Sequence, residues 1–223
     1  RLHADREQNE AGLESRIAAM EMAFRMQFSV PEAFDVSGET KATLDMYGSS
    51  EYAKGCLLAR RLIERGVRAV QLSLSIDGYD IAWDTGHDDI QGGHSRLALA
   101  CDQGIAALIR DLKQRGLLED TLVWFGSEFG RTPYAQGNGT GRDHNPTGFT
   151  VWLAGGGVKP GFAYGATDEF GHNAVEGRMH MHDLHATVLH LLGIDHERLT
   201  FRSAGREFRL TDVHGHVASQ IFA

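Results

Sequence analysis

The sequence contains no run of Lys and Arg longer than a dipeptide. It also has no apolar stretch near the roughly 20 residues that span a bilayer. The first absence removes the electrostatic footprint that nucleic acid or an anionic membrane surface requires. A formal net charge of −8, from 22 basic against 30 acidic residues, argues the same way. Cysteine is scarce: Cys56 and Cys101 sit in helical segments among apolar neighbours, with no redox or zinc spacing around them, and read as buried thiols. There is no internal repeat and no low-complexity linker. The opening residues Arg1-Leu2-His3-Ala4-Asp5-Arg6 lack an initiator Met and a charged-then-apolar leader. They run straight into a polar helical pattern, so a fragment or a processed chain is expected.

What remains is a 223-residue chain, 42% hydrophobic, long enough to bury one core. A single domain over 1–223 is expected, with a helical lead-in over 1–66, a core over 67–195 and a closing hairpin and helix over 196–223. Histidine is over-represented: 12 of the 223 residues, most of them from His144 onward. Imidazole titrates near neutrality and ligates metals, so the excess raises the expectation of a metal site or of proton chemistry. Part of it serves the surface and the core.

Apolar spacing predicts an amphipathic helix over 13–27, carrying Leu13, Ile17, Met20 and Phe24, broken at Pro31. A second helix is predicted over 50–65, ended by Gly66, and a long third over 95–115, ended by Gly116. A compact fourth covers 182–193. Three apolar segments predict strands: Val67 to Ile76, Thr121 to Gly126 (TLVWFG) and Phe149 to Ala154 (FTVWLA). FRSAGREFRL predicts a hairpin about Ala204-Gly205. Strands alternating with helices imply an α/β chain with a doubly wound, mostly parallel sheet and helices on both faces. Ligands of such sheets bind at the C-terminal edge of the strands, which would place three polar loops on one rim.

Those loops hold the metal-ligating residue types. The first, 77–94, carries Asp77, Asp80, Asp84, His87, Asp88, Asp89 and His94. So many carboxylates and imidazoles repel one another unless a cation neutralises them; a solvated acidic loop is the alternative. The second is Ser127-Glu128-Phe129-Gly130-Arg131-Thr132-Pro133. There Glu128 suits a metal, and Arg131 suits the bidentate grip of a tetrahedral oxyanion. A Glu–Arg ion pair explains both equally well. The third, Gly141-Arg142-Asp143-His144-Asn145-Pro146, sets an acid beside an imidazole, as for a ligand oriented by its neighbour; a surface turn is the alternative. His185 and His190 read as packing or capping residues of the 182–193 helix. Asp183 reads as a first-turn acid on its dipole.

Read in order, the Asp84-x-x-His87 loop, the helix bearing Asp102, DTLVWFGSEFG, His144-Asn145-Pro146 with FTVWLAGGG, and HDLHATVL resemble the motif progression of the alkaline phosphatase/sulfatase superfamily. The strings EFGRTP, GRDHNP, VWLAGGGVK, YGATDEFG, HDLHATVLHLLG and RLTDVHG are similar, more closely, to a sulfatase-like bacterial family called domain of unknown function 1501. The resemblance implies an alkaline phosphatase-like fold of which this chain is the C-terminal part, incomplete at its N-terminus. It implies a metal-dependent hydrolase of phosphate or sulfate esters, with Asp84, His87 or Asp88, Glu128 and His144 as metal ligands. Arg131 and Glu128 would serve catalysis. Phe129 stands where the superfamily has a ligand His, and the nucleophile is carried outside these residues. Zinc or manganese is implied rather than calcium, because the donor set mixes nitrogen and oxygen. The implied partner is a small-molecule or glycan ester, with a missing N-terminal half or an oligomer completing the sheet, in a periplasmic or secreted setting. The alternative is a secreted binding or scaffold relative that has lost part of its metal site. A weaker alternative is a fragment active by itself, with Ser127 or Thr132 as nucleophile.

Overall fold

A computed structural model describes residues 2–74, 82–137 and 139–223. Its order is α1 (Leu2–Phe34), α2 (Lys41–Tyr47), α3 (Glu51–Glu64), a 3-10 helix (Ala82–His87), α4 (Ile90–Gln114), β1 (Val123–Phe125), β2 (Gly130–Arg131), β3 (His144–Asn145), β4 (Trp152–Ala154), β5 (Ala166–Thr167), β6 (Ala174–Glu176), α5 (Met181–Leu191), β7 (Thr200–Ser203) and β8 (Arg206–Arg209). A second 3-10 turn, Ser219–Ile221, closes the chain.

The expected doubly wound parallel sheet is not formed among the described residues. The strands pair two by two, β1 with β4, β2 with β3, β5 with β6 and β7 with β8, and every pair is antiparallel. The error has a physical source. TLVWFG and FTVWLA are apolar enough for interior strands, but they pair with each other, in the register Val123↔Ala154, Trp124↔Leu153 and Phe125↔Trp152. A two-stranded ribbon cannot cover its own faces, so Trp124 and Phe125 stay 39% and 36% exposed. The third expected strand, Val67 to Ile76, has no ladder over its described part, 67–74. The rest of it lies outside the described residues. With no parallel sheet there is no common rim of strand ends, and the polar loops meet by another route.

The chain divides into two compact units. The first comprises Arg1–Ser73 with Gln103–Leu108. Its core is Tyr47, Cys56, Leu57 and Ala107, backed by Val36, Tyr52 and Leu72. Ser50 and Thr40 cap α3 and α2, their hydroxyls accepting the Ala53 and Thr43 amides at 3.1 Å each. At Gly104 an added Cβ would stand 2.9 Å from the Ala53 Cα, so α4 lies against α3 only because that position has no side chain. The first helix runs past the expected break at Pro31, and its predicted apolar stripe stays in solvent, Met20 and Phe24 being 74% and 61% exposed.

The end of α1 is tied by Arg61. Its guanidinium donates to the carbonyls of Ala33 (2.8 Å), Glu32 (2.9 Å) and Asp35 (2.7 Å), acceptors that a helix end leaves without intrahelical partners. It also pairs with Glu39, which in turn holds Arg60 at 2.7 Å. Burial raises the Glu39 carboxyl, but hydrogen bonds from Arg60 and Arg61 outweigh it and hold the group below its ordinary value.

The second unit comprises Leu74–Asp102 with Ile109–Ala223. There α4 begins at Ile90, earlier than predicted, because the Asp89 carboxylate accepts the Gly92 amide at 3.0 Å and caps it. The hairpin β7–β8 turns at Ala204 and Gly205, with φ of 48° and 80°. At the start of α5, Asp183 takes the His180 amide at 2.9 Å as a first-turn acid and the His216 amide at 2.7 Å.

Candidate metal centre

Two of the candidate ligands owe their proximity to the 3-10 helix Ala82–His87. With three residues per turn, side chains at i and i+3 eclipse, so Asp84 and His87 project from one edge. Their facing atoms, Asp84 Oδ1 and His87 Nε2, are 3.2 Å apart.

The third ligand arrives from a different loop. In β2–β3 the register pairs Gly130 with Asn145 and Arg131 with His144. The Thr132 amide continues this ladder to the Asp143 carbonyl at 2.9 Å, and Gln136 bridges Gly141 beyond it. Thr140 fastens the tip to the segment after the 3-10 helix, its hydroxyl donating to the Asp88 carbonyl at 2.5 Å and its own carbonyl accepting the Ile90 amide at 3.2 Å. At Gly141 an added Cβ would stand 1.7 Å from the His87 carbonyl oxygen. Only glycine lets this loop lie so close.

The result is a triangle of donor atoms. His144 Nε2 lies 2.8 Å from Asp84 Oδ1 and 3.0 Å from His87 Nε2. With the 3.2 Å edge this matches the roughly 3 Å spacing of neighbouring ligand atoms about an ion held at about 2.0–2.1 Å. Among the described residues, Asp84, His87 and His144 form the group whose ligand atoms all fall within 4.8 Å of one another. Their side chains remain 30%, 30% and 39% exposed, so the triangle opens to solvent.

Neighbouring groups orient it. Gln136 Oε1 accepts from His87 Nδ1 at 2.7 Å, which leaves the neutral ring's lone pair on Nε2, aimed at the triangle. His87 Nε2 and Asp84 Oδ1 then face each other as two lone-pair donors, an arrangement that a shared cation stabilises. The Phe129 ring stacks on the His144 imidazole, centroids 3.9 Å apart and planes 29° apart. Arg131 donates to Asp84 Oδ1 at 3.0 Å, and also to the carbonyls of Trp83 at 2.9 Å and Arg142 at 3.3 Å. The His144 hydrogen bond first, then that of Arg131, holds the Asp84 carboxyl below its ordinary value and keeps it anionic.

The other sequence candidates stand elsewhere. Asp88 is exposed and offers its carbonyl to Thr140, while Glu128 is exposed and outside the triangle. Asp89 caps α4, and His94 turns to the Trp83 carbonyl at 3.3 Å. Asp77 and Asp80 lie outside the described residues. Asp143 reaches the backbone amide of His144 at 2.7 Å rather than its ring. Ser127 Oγ donates to the Phe129 carbonyl at 2.6 Å, and Thr132 Oγ1 to that of Tyr134 at 3.0 Å. Sequence reasoning passed over Gln136, which has no motif to mark it, and took Gly141 only as the first residue of the GRDHNP turn, with nothing to signal its close approach to His87.

Comparison with known families matches a model described as protein of unknown function (DUF1501) to residues 1–222, and the chain belongs to that family. No curated protein and no solved structure matches it.

Proposed function

We propose that this DUF1501 chain carries the metal centre of a sulfatase-like hydrolase that cleaves phosphate or sulfate esters, with zinc or manganese as the ion. One observation carries the reading: Asp84 Oδ1, His87 Nε2 and His144 Nε2 converge within 3.2 Å on a face open to solvent. Three protein donors with open positions are the pattern of a catalytic rather than a structural site. A bound divalent ion there would polarise the ester oxygens and lower the pKa of a coordinated water.

The chain's own residues supply the rest. Asp84 contributes the negative charge, and Arg131 and the Gln136–His87 bond fix the donors before substrate arrives. The Ser127 and Thr132 hydroxyls are each committed to a backbone carbonyl, which favours water as the attacking group over either of them. A binding protein of the same ancestry is the second reading. It is favoured by Phe129, which stacks on His144 where a further ligand would otherwise stand.

Metal analysis and turnover of aryl phosphate and aryl sulfate esters separate the two. One equivalent of zinc or manganese with ester cleavage supports the hydrolase. Stoichiometric metal without cleavage of either ester, or no bound metal and no cleavage, sinks the hydrolase and supports the binding protein.

A further inference from the structure

His144 stands on a two-residue strand, and its direction depends on the residue beside it. Successive side chains of a strand point to opposite faces, so His144 faces the triangle only while Asn145 faces inward. Asn145 is 1% exposed, and its side-chain amide is engaged at both ends. Nδ2 donates to the Gly148 carbonyl at 3.2 Å and to the His172 carbonyl at 2.9 Å, while Oδ1 accepts the Thr147 amide at 3.1 Å. Thr147 strengthens the same contact, its carbonyl accepting the Ala174 amide at 2.8 Å. At Gly148 an added Cβ would stand 2.6 Å from the His172 oxygen, so the two segments touch through a position without a side chain. The His172 carbonyl is thus a fixed point against which the ligand strand is set.

That carbonyl belongs to the loop joining β5 to β6, and one side chain shapes the loop. Asp168 Oδ1 accepts the His172 amide at 2.8 Å, and Oδ2 accepts the Asn173 amide at 2.9 Å and Nδ2 at 3.1 Å. The Phe170 amide completes the set. A carboxylate has about four lone-pair sites, and all of them are taken. These bonds, that of the His172 amide first, hold the Asp168 carboxyl below its ordinary value, so the group is anionic at neutral pH. A charged acceptor makes the stronger hydrogen bond, and here several N–H groups of one short loop share it. Asp168 itself stands outside the triangle of donor atoms.

We propose that Asp168 is a positioning residue of the metal centre: it sets the His172 carbonyl, which keeps Asn145 inward and thereby holds His144 on the triangle. The role of His144 as a ligand rests on the metal-centre reading; the placement of its ring does not.

Proton NMR of the histidine rings in chelator-treated protein tests that placement without any ion. The Phe129 ring lies over the His144 imidazole at 3.9 Å and shields its carbon-bound protons. Asp168→Ala should move those signals downfield, toward the position of a free imidazole. It should leave unmoved the signals of His185, which meets the Trp124 ring edge-on at 5.7 Å. Asp168→Asn keeps one acceptor oxygen and should fall between the two. In competition with a chromophoric chelator, Asp168→Ala is expected to lower zinc affinity about fivefold, less than the 10–100-fold loss of a group bonded directly to a ligand. In an Asn145→Ser background the same substitution should cost less than about twofold, because the link it acts through is already gone. The ring signals need only the loop substitution, so the test does not hang on the folding of the Asn145 variant. Unmoved His144 signals in Asp168→Ala, equal movement of His185, or additive affinity losses overturn the proposal. A parent chain that binds no zinc refutes the metal reading instead, and the ring signals then decide the positioning alone.

Discussion

Arg131 and His144 face each other across the β2–β3 ladder and reach the same atom, Asp84 Oδ1, at 3.0 and 2.8 Å. One cross-strand register thus delivers both a candidate ligand and a guanidinium, and together they hold the Asp84 carboxyl below its ordinary value. Arg131→Lys retains the charge but loses the fork that also holds the Trp83 and Arg142 carbonyls. Zinc affinity, measured by competition with a chromophoric chelator, is expected to fall by about tenfold.

Removal of a ligand has a larger effect than removal of its support. Asp84→Ala and His144→Ala are expected to lower zinc affinity by more than about 100-fold, beyond the 10–100-fold range of an outer partner. Gln136→Ala should fall inside that range, because His87 keeps its ring but loses the acceptor at Nδ1. Equal losses for Gln136→Ala and Asp84→Ala would contradict this ordering. Glu128→Gln and Asp88→Asn should leave zinc affinity unchanged, since both side chains lie outside the triangle.

Gly141 permits the approach of the ligand loop to the 3-10 helix. Gly141→Ala puts a methyl against the His87 carbonyl and must push the loop away. Zinc affinity is expected to drop by at least about tenfold with little change in far-UV circular dichroism, because the clash falls at the end of one short 3-10 helix and outside the interiors of the α-helices.

In the first unit, Arg61→Ala leaves three helix-end carbonyls and Glu39 without their shared donor. Breaking a buried ionic network from one side costs about 3–5 kcal/mol, and urea denaturation should show a loss of that order.

Glu39 makes that network sensitive to acid. Its folded carboxyl lies below the ordinary value, so it stabilises the fold above the unfolded pKa, and that stabilisation is lost as pH falls through the folded pKa. Thermal melting of the parent chain should therefore decline on acidification from about pH 5 more steeply than that of Glu39→Gln. Parallel declines would show that Glu39 is not the responsible group.

The helices were legible because their signals are local. Period and the stops at Gly66 and Gly116 placed α3 and the end of α4 to within about a residue, and Asp89 accounts for the early start of α4. The sheet was not legible, because strand partners are decided by contacts far apart in sequence. TLVWFG and FTVWLA have the composition of interior parallel strands, yet their ladder is mutual and antiparallel. Asp84, His87 and His144 were among the candidates by residue type. What singled them out from Asp88 and Glu128 is geometry that composition does not encode: a 3-10 winding, a two-residue register and one close backbone approach.

The tight winding of Ala82–His87 has one more consequence. A 3-10 helix turns about 120° per residue and an α-helix about 100°, so relaxing this turn would swing His87 about 60° away from Asp84. An ion seated on both side chains therefore holds the local backbone in its overwound form. Occupancy of the site and the twist of a single helical turn are one equilibrium, and a probe of either reports on the other.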